Sequence, residues 1–72
     1  MSQHPCILCA ATAERRRPDS DRDHYEYDCP DCGRYATNHA GTLTWPMALD
    51  SDRQEQIRAI RKENAAGRRP MI

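Results

Sequence analysis

Residues 24–37 read HYEYDCPDCGRYAT, and this stretch decides the fold of the chain. Polar and apolar residues alternate before its cysteine pair, with Tyr25 and Tyr27 on one side, which predicts a short half-buried strand. After the pair, Gly33 can adopt the positive φ that closes a tight turn, and residues 34–37 favour a return strand. We therefore expect a β-hairpin that carries two cysteines at its tip.

A second cysteine pair precedes this hairpin, and the full pattern is Cys6-x2-Cys9-x19-Cys29-x2-Cys32. A two-residue gap lets both thiolates point at one ion, and two such turns supply the four sulfurs of a tetrahedral site. The 19-residue spacer lies within the range of paired zinc-binding turns. We therefore expect all four cysteines to hold one structural Zn²⁺ per chain, or an iron ion that has replaced it.

The same cysteines admit other interpretations. Two disulfides would each close a strained ring, and a thioredoxin-like redox pair would need a βαβ context that the chain lacks. An iron–sulfur cluster can also use four cysteines. His4, His24 and His39 are candidate replacement ligands, but four well-spaced cysteines favour histidines that are exposed or locally hydrogen-bonded.

The composition explains why such a chain needs a metal. Only 38% of its 72 residues are apolar and none is Phe, so its core is marginal without a staple. The sequence shows neither an apolar secretory signal at the N-terminus nor an apolar stretch of membrane-spanning length. We therefore expect a cytoplasmic protein with reduced thiols, without a membrane partner or a small-molecule substrate.

The organisation that we expect is a small zinc-stabilised α+β domain, a zinc ribbon hairpin followed by a short helix and a longer C-terminal helix. The single domain 1–72 divides into the cysteine turns and hairpin (1–37), a short helix and connector (38–49), a C-terminal helix (50–67) and a tail (68–72). Within the first part, residues 10–23 lack apolar periodicity and predict a mobile loop, with one possible helical turn from Ala10 to Arg17.

Helix boundaries and the core can also be predicted. Asn38 is a good N-cap for the short helix, Ser51 with Gln54 fits a capping box, and Gly67 is a C-terminal stop. Ile57 and Ile60 form the apolar stripe of the long helix. We expect its partners in the core to be the apolar residues of the connector, aided by the tyrosines: Leu43, Trp45, Met47 and Leu49. Met71 and Ile72 should either fold back onto this core or contact a partner.

The cysteine pairs resemble those of the zinc ribbon proteins, the rubredoxin-like superfamily. The second pair, Cys-Pro-Asp-Cys-Gly-Arg-Tyr, is the closest match, and the resemblance covers residues 4–37. Residues 38–72 are similar to a segment that follows such ribbons in small uncharacterised bacterial proteins. The resemblance implies zinc ligation by the four cysteines and no activity.

Two functions remain open, and neither is enzymatic because no catalytic set or phosphate-binding loop is visible. Net charge is zero but polarised, with −5 over residues 19–31 and +2 over residues 50–72. Nucleic-acid binding is suggested by Arg15–Arg17 and by a basic surface that could also bind a partner protein: Arg34, Arg58, Arg61, Lys62, Arg68 and Arg69. The alternative is a regulatory adaptor that docks on a larger protein or forms a homodimer through the C-terminal helix.

Overall fold

The computed structural model describes residues 2–17 and 24–72. These residues form one antiparallel sheet in the order β1-β2-β3-β4 and two α-helices, which confirms the α+β class. The strands are β1 (Ser2–Pro5), β2 (Thr12–Arg16), β3 (His24–Cys29) and β4 (Gly33–Asn38). The helices are α1 (His39–Thr44) and α2 (Asp50–Ala65), separated by a 3₁₀ turn, Trp45–Met47.

Two hairpins carry the cysteine pairs at their tips. The first knuckle, residues 6–10, joins β1 to β2, and the second knuckle, residues 29–33, joins β3 to β4. Because β2 also pairs with β3 in antiparallel fashion, the two tips lie at the same end of the sheet. The predicted second hairpin is confirmed, with Tyr27 directly opposite Tyr35.

The first hairpin corrects a prediction. Residues 10–17 were expected to be loop or helical turn, but Thr12–Arg16 is a strand that pairs with both neighbours. The sequence of this strand lacks an apolar alternation because Ala13 is its only buried residue, and the next position on that face is Arg15. Residues 18–23 of the expected loop lie outside the described residues.

The core departs from the prediction in its membership. Leu43, Met47 and Leu49 were expected inside but are 60%, 87% and 71% exposed, because the short α1 and the 3₁₀ turn leave them facing solvent. Trp45 is only partly buried and packs against the core. The large core side chains come from the first knuckle, the sheet and α2: Ile7, Leu8, Tyr27, Tyr35, Ile57 and Ile60.

The helix ends follow the sequence signals with one exception. The Asn38 side chain accepts a hydrogen bond from the N–H of Gly41 at 2.7 Å, and Gly67 ends α2 with φ +80°, as predicted. The capping box at Ser51 is wrong, since the N-cap of α2 is Leu49, two residues earlier, and it makes no side-chain hydrogen bond to the helix. Acidic residues do occupy the first turn, where the helix dipole favours them.

The C-terminal tail runs along the outer edge of β4. The Ala36 N–H donates to the Pro70 carbonyl and the Ile72 N–H to the Ala36 carbonyl, both at 2.8 Å. Ile72 packs against the core, as expected, whereas Met71 points outward and is mostly exposed. The tail therefore satisfies backbone groups of β4 that would otherwise face water.

Candidate metal centre

The four cysteine sulfurs converge at the shared end of the two hairpins. All four Sγ atoms lie within 4.8 Å of one another, and the cysteines are free thiols. Two of the separations cross between the knuckles, 3.7 Å from Cys6 to Cys32 and 3.4 Å from Cys9 to Cys29. Cys9 is partly exposed, whereas the other three are buried.

These distances fit a metal ion. Four sulfurs placed about 2.3 Å from a tetrahedral zinc ion are about 3.8 Å apart along each edge. The two cross-knuckle separations come within a few tenths of an ångström of that edge, so ligation needs only small movements of the side chains. The cluster can therefore hold one metal ion, and its four cysteines are the donor set that structural zinc sites use.

The electrostatics of the cluster also favour a cation. Burial outweighs the backbone hydrogen bonds at Cys29 and raises the pKa of its thiol to about 11. Burial, together with the sulfurs of Cys9 and Cys6, likewise raises the pKa of Cys32. Cys6 differs: burial opposes ionisation, yet hydrogen bonds from the Tyr35 hydroxyl and from nearby backbone N–H groups lower its pKa overall. A cation supplies the charge that lets the remaining thiols ionise.

Tyr35 is a supporting residue that the sequence analysis did not identify. Its buried hydroxyl lies 3.1 Å from Cys6 Sγ, and burial together with this hydrogen bond raises its pKa. A phenol that stays protonated donates to the thiolate and disperses its charge. Tyr35 lies two residues after Gly33 in β4, so it lies on the same face of the strand as the residue that ends the second knuckle. That position is the sequence signal that could have suggested this role.

Asn64 anchors the second knuckle to α2. Its Oδ1 accepts from the Arg34 N–H at 2.7 Å, and its Nδ2 donates to the carbonyls of Arg34 and Arg68 at 2.9 Å. Gly33 has φ +105°, and a Cβ there would collide with Asn64 Oδ1. Glycine is therefore required both by the backbone angle and by the close approach of the helix.

Arg61 gives the second knuckle another contact. Its Nη2 donates to the carbonyl of Asp31 at 2.6 Å, so this cation on α2 holds the turn between the two cysteines. Sequence analysis had assigned Arg61 to a binding surface. Its side chain is exposed while it makes this contact, so a place on a binding surface stays a prediction.

Two other predicted surface cations are also committed to contacts within the chain. Arg68 pairs with Glu63 at 2.6 Å, and Arg69 pairs with Glu26 and Asp28 at 2.9 and 2.7 Å. The three others are exposed: Arg34, Arg58 and Lys62. Of these, Lys62 lies near Glu63 and, together with Arg68, lowers the pKa of that carboxyl.

The histidines lie elsewhere. His24 is 4.0 Å from Glu26, and the His39 ring lies 6.4 Å from that of Tyr25. His4 lines a cleft beside the first knuckle. Within residues 2–17 and 24–72, the cysteine cluster is joined by no histidine or carboxylate.

In comparisons with known proteins, no protein-family model, no curated protein and no solved structure matches this chain. The metal centre is thus interpreted from its own geometry. Neither helix of the described residues is long and apolar enough to cross a bilayer.

Proposed function

We propose that this chain is a zinc ribbon module whose four cysteines bind one structural Zn²⁺. The observation that carries the proposal is the convergence of four Sγ atoms within 4.8 Å. Four thiolates complete a tetrahedral shell, which is the arrangement of structural rather than catalytic zinc. The Tyr35 hydroxyl and the Cys32 N–H, which points at Cys29 Sγ from 3.4 Å, would temper the negative charge of the sulfurs.

The metal content of the purified chain tests this proposal. Protein made in reducing buffer should contain one zinc per chain, and a strong chelator should remove the metal together with the folded circular dichroism signal. Cobalt substitution should give the visible absorption of tetrahedral thiolate ligation, and bound iron would also be coloured. A chain that is folded in reducing buffer with four titratable thiols and no metal would refute the proposal.

The proposed module is not an enzyme. All four cysteines serve as ligands, and a closed four-sulfur shell leaves no position at which a water or a substrate would be activated. The zinc-loaded protein should therefore show no metal-dependent hydrolysis of ester or phosphodiester substrates. Activity that follows the zinc content and vanishes in a cysteine variant would contradict this part of the proposal.

We infer that the module binds nucleic acid. Support comes from exposed cations: Arg58 and Lys62 lie four residues apart on α2, and Arg34 follows the second knuckle. Like charges at this spacing weaken a helix slightly, which favours a use for them such as phosphate contact. The measurement is fluorescence anisotropy with labelled oligonucleotides at about 50 mM salt, where electrostatic binding is strong. No binding under these conditions would reject this function.

A protein-interaction adaptor is the second candidate, and one observation favours it. Leu43, Met47 and Leu49 are three large apolar side chains within seven residues, and all are mostly exposed. Contiguous exposed apolar residues are characteristic of interaction sites. Sedimentation at rising concentration should then reveal a dimer that is lost in Met47→Ser. A strictly monomeric chain would exclude homodimerisation and leave only a foreign partner.

A further inference from the structure

The surface of α2 that faces away from the core has a basic side and an acidic side. Successive residues of an α-helix are about 100° apart around its axis, and Ile57 and Ile60 mark the buried side of α2. The basic side spans an arc of about 100° in which every residue is exposed: Ser51, Gln54, Arg58, Arg61, Lys62 and Ala65. The acidic side is the next arc of about 80° around the helix: Asp52, Glu55 and Glu63. Charges of opposite sign thus occupy different sides of one helix.

The ion pairs of α2 do not use the cations of its basic side. Glu63 pairs with Arg68 at 2.6 Å, and Asp50, in the first turn, pairs with Arg53 at 3.5 Å. Lys62 lies near Glu63, but the lowered pKa of that carboxyl is due mainly to the hydrogen bond from Arg68. The positive charge of the basic side therefore remains on the surface.

The second knuckle lies along the border of the basic side that carries Arg61. One Arg61 nitrogen donates to the neutral Asp31 carbonyl, and a guanidinium has five N–H donors for further acceptors. Asn64, next to this border, holds the backbone of Arg34 through hydrogen bonds of 2.7 and 2.9 Å. The exposed Arg34 therefore adds positive charge at this border, whereas the exposed Asp31 opposes it.

Two cations frame a central row on the basic side. Arg61 and Lys62 lie at opposite borders of the arc, and Gln54, Arg58 and Ala65 lie between them. A glutamine amide and a guanidinium each form paired hydrogen bonds with base edges, and an alanine methyl contacts the thymine methyl group. Cations contact phosphates. This order of groups matches a nucleic-acid groove, which has base edges at its floor and phosphates at both rims.

The dimensions of α2 and the positions of the aromatic residues favour duplex DNA. Sixteen residues make a rod about 24 Å long and about 10–12 Å wide, and the major groove of B-DNA is about 12 Å wide. The major groove of an RNA duplex is too narrow and deep for side chains to read. Single strands are bound by stacking on aromatic rings, but the rings lie outside α2 and are buried or half-buried: Tyr25, Tyr27, Tyr35 and Trp45.

We propose that α2 binds duplex DNA in the major groove through its basic side. Gln54 and Arg58 contact base edges, while Arg61 and Lys62 contact phosphates of the two strands. Arg34 adds a phosphate contact beside the second knuckle. This inference rests on the proposed nucleic-acid function and specifies its ligand. The acidic side repels phosphates, which fixes how the helix is rotated in the groove.

The test begins with a selection from DNA duplexes that have a randomised core of about 10 base pairs, slightly longer than α2. The enriched duplex is compared by fluorescence anisotropy with a shuffled duplex, the corresponding RNA duplex and one isolated DNA strand. A further copy carries 7-deazaguanine, which lacks the N7 acceptor of the major groove. Salt is varied from about 50 mM upward, because phosphate contacts are measured by the salt slope.

Four exposed positions supply the variants and a matched control. Lys62→Gln removes a border cation, Arg58→Gln removes the central one, and Asp31→Asn removes the opposing charge while keeping the carbonyl that Arg61 contacts. The control is Arg16→Gln, the same change on the outer face of the sheet, where Glu26 accepts from this arginine at 2.6 Å. The inner face, which carries Tyr27, packs into the core instead. Zinc content and circular dichroism confirm that each variant is folded.

The variants should weaken binding in distinguishable ways. Lys62→Gln should lower affinity for the enriched and the shuffled duplex by similar factors and reduce the log–log salt slope by about 0.9. Arg58→Gln should lower affinity for the enriched duplex about 5- to 150-fold and for the shuffled duplex much less. Asp31→Asn should tighten binding to both duplexes, and Arg16→Gln should change affinity less than about twofold.

Several results would overturn the inference and leave nucleic-acid binding intact. They are equal affinity for the DNA duplex and for the RNA duplex or the single strand, no loss of affinity with 7-deazaguanine, and a selection without an enriched sequence. Equal effects of Arg58→Gln and Arg16→Gln would likewise show that net charge alone attracts the DNA. Failure of the unmodified protein to bind any of these oligonucleotides would instead reject the proposed function itself.

Discussion

The two knuckles share their spacing and their place at a hairpin tip, yet the protein holds them in different ways. Between the cysteines of the first knuckle, Ile7 and Leu8 are buried and form part of the core. Between those of the second, Pro30 and Asp31 are exposed. The first cysteine turn thus packs into the hydrophobic core, whereas the second is a polar turn that another element supports.

That support comes from α2. Arg61 reaches the Asp31 carbonyl at 2.6 Å, and Asn64 accepts from the Arg34 N–H at 2.7 Å. In the first knuckle, backbone hydrogen bonds close the loop internally, from Ala10 N–H to the Cys6 carbonyl at 2.9 Å and from Cys6 N–H to the Ala11 carbonyl at 2.7 Å. Two cysteine pairs with identical spacing are therefore held in place by different contacts.

Loss of one cysteine should have the same effect on metal binding and stability in either knuckle. Cys9→Ser and Cys32→Ser each remove one sulfur from the shared site, so both should abolish tight zinc binding and, with it, the cooperative thermal transition. Metal analysis and circular dichroism measure this. A zinc-loaded, cooperatively unfolding Cys9→Ser protein would show that the partly exposed sulfur is dispensable, and would break the symmetry of the site.

Zinc binding should weaken steeply as the pH falls. The raised pKa values of Cys29 and Cys32 mean that both thiols are protonated near neutral pH without metal, and both must lose that proton on ligation. Those raised values favour the metal-free fold below the ordinary thiol pKa of 9.0, and this contribution is lost as pH rises toward about 11. Zinc binding has the opposite pH dependence and strengthens as the pH rises, because protons compete with the metal for the sulfurs.

The apparent zinc dissociation constant should therefore rise about a hundredfold or more for each pH unit lost, since at least two protons return. Competition with a chromophoric chelator between about pH 6 and pH 8 measures this, after correction for the titration of the chelator. A dissociation constant that does not change with pH would contradict protonated thiols in the metal-free chain.

Substitutions at equivalent positions of the knuckles should differ strongly. Leu8→Ala opens a cavity in the core and should cost about 2–5 kcal/mol of unfolding free energy. Asp31→Ala, at the matching position, leaves the carbonyl that Arg61 contacts and should cost less than about 0.5 kcal/mol. Thermal unfolding of the zinc-loaded proteins compares them. Equal losses would mean that the second knuckle is packed as tightly as the first.

Substitutions of the last residue of each knuckle should change the stability by smaller amounts than Leu8→Ala, and in opposite directions. Ala10 has φ +64° and Gly33 has φ +105°. Gly33→Ala introduces strain and a collision with Asn64 and should destabilise by about 1–3 kcal/mol. Ala10→Gly relieves a left-handed Cβ and should stabilise by about 0.5–1 kcal/mol. Destabilisation by Ala10→Gly would show that the methyl group packs usefully in its turn.

The first hairpin shows where prediction from sequence fails in this protein. A strand is recognised by alternating apolar residues, but β2 buries only Ala13, its next inner-face position is Arg15, and Arg17 follows directly after the strand. These arginines cover the ring of Tyr25 in β3. The contact that favours extended backbone at their positions is therefore made with a residue that is not adjacent in the sequence. The prediction that the connector residues lie in the core was wrong for the opposite reason, since Leu43 and Met47 are apolar but remain exposed.

The features that could be predicted from the sequence alone are local ones. Two-residue gaps place two thiols on one turn, Asn38 caps α1, and the glycines at residues 33 and 67 take the positive φ values that end a knuckle and a helix. Each depends on neighbours within a few residues. Spacing alone was therefore enough to predict the four cysteines as a ligand set.

Only the tertiary structure decided which side chains support that set and which stay exposed. Tyr35 reaches Cys6 across 29 positions, and Asn64 and Arg61 reach the second knuckle across 30. Arg61 makes its contact while it stays exposed, a second role that its charge alone did not suggest. Hydrogen bonds and burial depend on distance in space, which the pairing of the strands and the docking of α2 establish and which no local pattern encodes.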